Sequence, residues 1–144
     1  MDVGPWVACA LGLLGLIHAY WALGGRIGAD AAVPERPGPM HAGSGRLLFT
    51  PSRGATLLVA AALLAAALMV FGCAGAVALP VPHWALRAGV ALLAGLMFLR
   101  AIGDGCWVGL LKRVRGTRFA RLDTWLYVPL CLLLGVGLVL VARG

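Results

Sequence analysis

The sequence predicts an all-α membrane protein, a four-transmembrane-helix bundle with both termini on the extracytoplasmic side. Three observations predict this class. Hydrophobic residues make up 62% of the chain and charged residues only 12%, which is more apolar surface than a soluble domain of this size can bury. Four long segments carry few or no charges, and the basic residues collect on one side of the resulting topology. Residues 1–144 are therefore expected to form one membrane domain.

The first predicted helix covers about residues 3–25. This segment has no charged side chain over a length that can cross a bilayer. Asp2 precedes it where a cleaved signal peptide normally has a basic residue, so the segment is expected to remain as a transmembrane helix. A polar connection follows at 26–53, and its prolines and glycines predict a loop.

The second and third predicted helices are antiparallel neighbours joined by a short turn. The second covers about 54–79 and is stopped by Pro80 and Pro82, and the third covers about 83–102 and ends where glycines follow it. Small residues four positions apart allow close helix approach in lipid, although the same pattern also fits an ordinary alanine-rich span. These residues are Ala61, Ala62, Ala65, Ala66, Ala91 and Gly95.

The fourth predicted helix covers about 124–142, after a basic connection at 103–123. The helix is uncharged, and Pro129 is expected to disturb it locally. Asp123 immediately precedes the helix. We interpret it as the N-cap, with its carboxylate accepting hydrogen bonds from the first free N–H groups.

The distribution of charge predicts the topology. Ten of the twelve Lys and Arg residues lie on the side of the two long connections, and only Arg87 and Arg143 lie on the other side. By the positive-inside rule, the long connections are expected to face the cytoplasm of a bacterial plasma membrane. The five tryptophans fall near predicted helix ends, as in the aromatic belts of membrane proteins; they are Trp6, Trp21, Trp84, Trp107 and Trp125.

Polar residues near the cytoplasmic helix ends are the candidate binding residues. His18 lies about two turns before the predicted end of its helix, where an ionisable group indicates a functional site; a neutral imidazole bonded to a neighbouring helix is the alternative. Arg100 and Asp104 are four positions apart at a helix end that disfavours a carboxylate, so a basic partner is expected for Asp104. The whole candidate cluster is His18, Tyr20, Trp21, Arg100, Asp104, Asp123 and Tyr127.

The basic connection mixes apolar and cationic side chains, as interfacial segments do. Its bases are expected to contact anionic lipids, and a solvated loop is a compatible alternative; they are Lys112, Arg113, Arg115, Arg118 and Arg121. The four cysteines have no metal-binding or redox spacing, so neither a metal nor a cofactor is expected. The net charge of +7 is attributed to topology and not to nucleic acid binding.

Three sequence blocks resemble a bacterial family of small four-span membrane proteins, the domain-of-unknown-function family 3995. The blocks are HAYWALGG at 18–25, RAIGDGCWVGLLKRVRGTRFARLD at 100–123 and YVPLCLLLG at 127–135. The resemblance implies the four-helix membrane fold and no activity, because none is assigned to the family. The positions that match its motifs are His18, Tyr20, Trp21, Gly24, Gly25, Arg100, Asp104, Phe119, Asp123, Tyr127 and Pro129.

Three functions fit these observations. The preferred hypothesis is that the protein binds or transports a lipid or small apolar molecule at the polar cluster near the cytoplasmic leaflet. The second is a membrane-embedded enzyme acting on a lipid or isoprenoid headgroup, with Asp104 or Asp123 and His18 as acid–base groups and Arg100 holding an anion. The third is a non-catalytic subunit or assembly factor that packs against a second copy or another membrane protein. Enzymatic activity is left open.

Overall fold

The computed structural model describes residues 3–36 and 46–144, apart from the side chain of Arg46. Within these residues, four helical segments are long and apolar enough to cross a membrane. This confirms the predicted four-helix, all-α membrane architecture. The segments are α1 (Gly4–Ala22), α2 (Arg53–Cys73), α3 (His83–Ile102) and Arg118–Arg143, and the last consists of α4 (Arg118–Leu122), a π-helical turn (Asp123–Tyr127) and α5 (Val128–Arg143).

The first long connection contains short elements that the sequence did not predict. A 3-10 turn covers Asp30–Ala32, and two short strands, β1 (Glu35–Arg36) and β2 (Arg46–Leu47), pair antiparallel. The part of the predicted loop at 37–45 lies outside the described residues. The described part of this connection therefore has regular structure, and it lies at one end of the bundle. We call this end, which carries both long connections, the loop end.

Two helices end earlier than predicted. α1 ends at Ala22 and α2 at Cys73, because a glycine with positive φ follows each helix: Gly24 (φ +102°) and Gly75 (φ +73°). In both places the next N–H bonds back to a carbonyl five residues earlier, which is the Schellman arrangement that closes a helix. The final helical residues of the two predicted spans therefore form turns.

The fourth span begins earlier than predicted, and Asp123 is not its N-cap. Thr117 caps the segment, with its hydroxyl oxygen accepting from the Ala120 N–H at 3.1 Å. Asp123 lies nearly two turns further on, in the π-helical turn whose closing bond runs from the Val128 N–H to the Asp123 carbonyl. Pro129 has no N–H to donate and its ring crowds the carbonyl four residues back, so the expected local disturbance takes the form of a π turn.

The core lies where the four spans meet. α1 packs mainly on α2, and α3 mainly on α5. Leu11, Val70, Val90 and Leu138 are buried at the centre, one from each of the four helices. Of the predicted close-packing residues, only Ala66 is buried in this core, and the other five are exposed: Ala61, Ala62, Ala65, Ala91 and Gly95.

Hydrogen bonds from side chains close the opposite end of the bundle. The Arg87 guanidinium donates to the carbonyl oxygens of Ala142 (2.7 Å) and Arg143 (3.0 Å), which satisfies the last carbonyls of α5. The His83 ring Nε2 lies 3.2 Å from the Cys73 carbonyl oxygen at the end of α2. Arg87 therefore joins α3 to α5, and His83 joins α3 to α2.

Candidate functional site

Asp123 is the centre of a buried group of charges at the loop end. Its side chain is fully buried (0% exposed). One carboxylate oxygen accepts from Arg100 Nη2 at 2.8 Å, and the other accepts from Lys112 Nζ at 3.0 Å and from the Gly109 N–H at 2.7 Å. We call Arg100, Lys112 and Asp123 the ion cluster. It joins α3, the second connection and the π turn.

The ion cluster has two cations for one anion. Burying a charge is costly unless it is paired and hydrogen-bonded. Lys112, only 6% exposed, meets this requirement by also donating to the Gly109 carbonyl oxygen at 3.0 Å. Arg100 meets it in part, because its Nη1 is buried without a hydrogen-bond partner. The cluster is therefore held together by Asp123 and keeps one positive charge in excess.

The expected pairing of Asp104 with a basic residue is wrong. Its Oδ1 accepts three backbone N–H bonds instead, from Cys106 (2.8 Å), Trp107 (2.7 Å) and Val108 (3.0 Å). Slight desolvation raises the pKa of the exposed Asp104 carboxyl, but these N–H bonds outweigh it and hold the pKa below its ordinary value. The carboxylate is stabilised by the N–H groups of the turn that follows it, so it does not need a cation.

Two glycines allow the second connection to fold back onto α3. Gly103 and Gly109 are in contact, and a Cβ atom on Gly109 would lie 2.5 Å from the Gly103 Cα. The returning chain donates the Leu110 and Leu111 N–H groups to the carbonyls of Ala101 and Ile102, which would otherwise be unpaired at the end of α3. This close approach brings the Gly109 N–H to Asp123.

His18 lines a separate cavity of about 650 Å³ at the loop end. The end of α1, the start of α2 and the first connection surround this space, which we call the His18 cavity. Most of its lining side chains are apolar, among them Val33, Leu47, Phe49 and Val59. The polar lining groups are few, so the cavity offers an apolar space with a small number of hydrogen-bonding positions.

The contacts of His18 leave one ring nitrogen without a protein partner. Nδ1 lies 2.8 Å from the Leu14 carbonyl oxygen in the same helix, so the interpretation of a bond to a neighbouring helix is wrong. A carbonyl only accepts, hence Nδ1 carries the proton and Nε2 of the neutral ring is an acceptor. No residue in the described part of the chain bonds to Nε2. The Trp21 ring packs edge-on against the imidazole, with centroids 5.0 Å apart.

Comparison with known proteins places this architecture in a family. A family model described as "Protein of unknown function (DUF3995)" matches residues 11–138, which include all three sequence blocks noted above. The chain belongs to the DUF3995 family. No curated protein and no solved structure matches the chain.

The predicted cluster of this DUF3995 protein is divided into separate groups. His18 and Trp21 lie together in the cavity, whereas Arg100 and Asp123 meet in the ion cluster. Tyr20 is exposed and lies against Gly25 outside the cavity lining. Among the described contacts, none joins His18, Arg100 and Asp104 to one another. The sequence placed these residues at one depth, but the pairing of the helices separates them laterally.

Tyr127 connects the last helical segment to the first connection. Its hydroxyl donates to the Ala31 carbonyl oxygen at 3.0 Å, and its ring packs against Phe119. Ala31 lies between residues that line the His18 cavity, Asp30 and Ala32. Tyr127 therefore holds one cavity wall from the outside and does not line the cavity itself.

The predicted lipid-contacting bases also have different environments. Lys112 is buried in the ion cluster, and Arg118 lies 3.9 Å from Asp30. The other three are exposed: Arg113, Arg115 and Arg121. No local spacing predicts the pairing of Lys112 with Asp123, because this pairing depends on the fold-back of the second connection. Within the part of the chain that the structure describes, no group of three His, Cys, Asp or Glu residues could hold a metal ion.

Proposed function

We propose that this protein binds a lipid or another small apolar molecule in the His18 cavity, at the level of the cytoplasmic leaflet. The observation that supports this is the cavity itself. A volume of about 650 Å³ falls within the range of small-molecule sites, which are typically apolar with a few positioned polar groups. The His18 cavity has this composition.

The exposed part of the cavity wall indicates how a ligand would enter. Phe49 and Val59 both line the cavity and are 54% and 44% exposed. Val59 lies about two turns from the start of α2, which is long and apolar enough to cross a membrane, and we infer that part of its exposed surface is open to the bilayer. An apolar molecule could therefore pass from the lipid phase into the cavity without crossing water.

His18 supplies the group that would orient the ligand. Its Nε2 is an acceptor without a partner in the described residues, and the His18 side chain lines the apolar cavity. His18 is partly buried, and an acceptor beside apolar walls favours a ligand that carries a hydrogen-bond donor, since the ligand then replaces the bonds that the acceptor would make to water. We therefore propose an apolar molecule with a hydroxyl or amide N–H group as the ligand class.

The arrangement favours binding over the enzymatic alternative. Asp123 is surrounded by donors in the ion cluster, and Asp104 is held by three backbone N–H groups. Both oxygens of Asp123 and the Oδ1 atom of Asp104 are therefore engaged in structural bonds, and His18 is not in contact with either residue. General acid–base catalysis needs such groups within hydrogen-bond reach of one substrate, and this arrangement does not bring them together.

The test compares two tryptophan variants of neighbouring residues. Val59→Trp places a large side chain in the cavity, whereas Leu58→Trp adds the same side chain at an exposed position (72%) outside the lining. Each full-length protein would be purified in mild detergent, and its organic extract analysed by mass spectrometry. We expect wild type and Leu58→Trp to retain the same molecule and Val59→Trp to lose it. Equal retention by both variants, or no retained molecule in wild type, would refute the proposal.

A second candidate function, packing against a second copy or another membrane protein, has one observation in its favour. Ala91 and Gly95 are exposed on α3, and a Cβ at Gly95 would meet no heavy atom within 4 Å. A small-residue face of this kind permits close helix contact in lipid. Gly95→Leu should then shift the oligomeric mass measured by light scattering in detergent, while Gly54→Leu, at another exposed glycine, should not. An unchanged mass for Gly95→Leu would argue against this candidate.

A further inference from the structure

A second recess, of about 260 Å³, lies between the second connection and the fourth span. Residues 110–116 form one side of it, and one face of the helical segment that begins at α4 forms the other. Three of its eight lining residues are basic and none is acidic. We call it the basic recess, and its lining is independent of the His18 cavity. The three bases are Lys112, Arg115 and Arg121.

Lys112 is a fixed cation in this recess. Its side chain is buried, and its ammonium group donates to Asp123 Oδ2 and to the Gly109 carbonyl oxygen. An ammonium group has three N–H donors, so one remains without a partner among the described residues. Because Asp123 is shared with Arg100, Lys112 is only partly neutralised. It therefore offers both a donor and positive charge at a defined position.

The two arginines of the recess are not used by the fold. Arg115 and Arg121 are exposed, and neither forms an ion pair or side-chain hydrogen bond with the described residues. Arg118 differs, since it lies 3.9 Å from Asp30. Guanidinium groups bind phosphate oxygens through paired N–H donors. Arg115 and Arg121 are thus available for an anion that enters beside Lys112.

Trp125 indicates the depth of the recess in the membrane. It lines the recess and is 82% exposed, as expected for an indole ring at the level of the lipid headgroups. A recess of 260 Å³ is below the usual size of a site for a whole small molecule. A phosphate group with its adjoining ester atoms would fit, and the remainder of the molecule would stay outside.

We propose that the basic recess binds the phosphate group of a phosphate ester, with Lys112, Arg115 and Arg121 as its donors. The ester is either the headgroup of an anionic phospholipid or a soluble phosphate ester. Both sources present the same oxygen acceptors to the three cations. The basic residues of the second connection would then serve as a binding site in addition to following the positive-inside rule.

The experiment compares two double variants that lose the same charge. Arg115→Gln with Arg121→Gln removes both recess arginines, whereas Arg53→Gln with Arg113→Gln removes two exposed arginines at the same end of the bundle but outside the recess. The full-length proteins would be placed in phosphatidylcholine nanodiscs containing phosphatidylglycerol. Native mass spectrometry would count the phosphatidylglycerol that each protein retains. In a second arm, each protein would be placed in nanodiscs of phosphatidylcholine alone. Glycerol 3-phosphate would be titrated into them, and its binding followed by ³¹P NMR.

We expect wild type and the control variant to retain phosphatidylglycerol, and the recess variant to bind it about tenfold or more weakly. This result would support a lipid headgroup as the ligand. Binding of glycerol 3-phosphate that only the recess variant loses would support a soluble ester. The proposal is overturned if the recess variant and the control variant behave alike in both arms. Thermal unfolding of both variants would verify that the exposed substitutions leave the fold intact.

Discussion

Substitution of Asp123 by asparagine tests the ion cluster most severely. The change keeps the size of the side chain but removes the only negative charge that contacts Arg100 and Lys112 within the described residues. Two buried or partly buried cations would then face each other without an anion. Breaking a buried pair by removing one partner costs about 3–5 kcal/mol. We expect a loss in the free energy of unfolding near the middle of that range, because the asparagine oxygen can still accept one hydrogen bond.

The matched variant is Lys112→Met, which removes one of the two cations. The carboxylate of Asp123 would keep its bonds from Arg100 and from the Gly109 N–H, and the cluster would become neutral. The bonds from Lys112 to Asp123 and to the Gly109 carbonyl oxygen are lost, but no buried charge is left without a partner, so about 1–3 kcal/mol is expected. The double variant keeps only one of the two cations. Its loss in the free energy of unfolding should therefore be smaller than the sum of the two single losses.

Unfolding by sodium dodecyl sulfate in mixed micelles, followed by tryptophan fluorescence, would give these free energies. The reasoning requires Asp123→Asn to be clearly more destabilising than Lys112→Met, and the double variant to show a coupling energy. If the two single variants cost the same, or if the losses are additive, Asp123 is not the residue that holds the cluster together.

Four further outcomes are expected. The pKa of Asp104 is lowered in the folded protein, so the contribution of its carboxylate to stability is present above the unfolded pKa and is lost as pH falls through the folded pKa. The difference in unfolding midpoint between wild type and Asp104→Ala should therefore shrink on acidification. A difference that stays constant with pH would contradict this. Gly109→Ala would bring a Cβ to 2.5 Å from the Gly103 Cα at a φ of +82° and should cost about 2–4 kcal/mol in an equilibrium unfolding titration. Tyr127→Phe removes one hydrogen bond to the first connection; it should cost about 1 kcal/mol and speed proteolysis of that connection, and unchanged proteolysis would argue against the contact. A reporter that is active only outside the cytoplasm should be active when fused after Gly144, and a silent reporter would invert the predicted topology.

The architecture was predictable because lipid restricts the alternatives. Long uncharged segments must form helices that satisfy their own backbone groups, and the structure has four such segments. The helix ends were less accurate. The prediction placed the end of α2 just before Pro80, but α2 ends at Cys73, two residues before Gly75. A glycine with left-handed backbone conformation can end a helix within an apolar stretch.

The candidate site was predictable only in part. The sequence indicated the depth of each polar residue, but not which helices pair, and α1 packs mainly on α2 rather than on α3. His18 was therefore separated from Arg100 and Asp104. The bonds of Asp123 to Lys112 and to the Gly109 N–H depend on a fold-back that no local spacing encodes. The apolar walls of the His18 cavity likewise come from distant segments.

The comparison of Val59→Trp with Leu58→Trp tests the central proposal most directly. Both variants add the same ring to α2, and only Val59 lines the cavity. We expect mass spectrometry of the organic extracts to find the same apolar molecule, in similar amount, with wild type and Leu58→Trp, and to find it lost from Val59→Trp. If Val59→Trp retains as much of that molecule as Leu58→Trp, the His18 cavity is not its binding site.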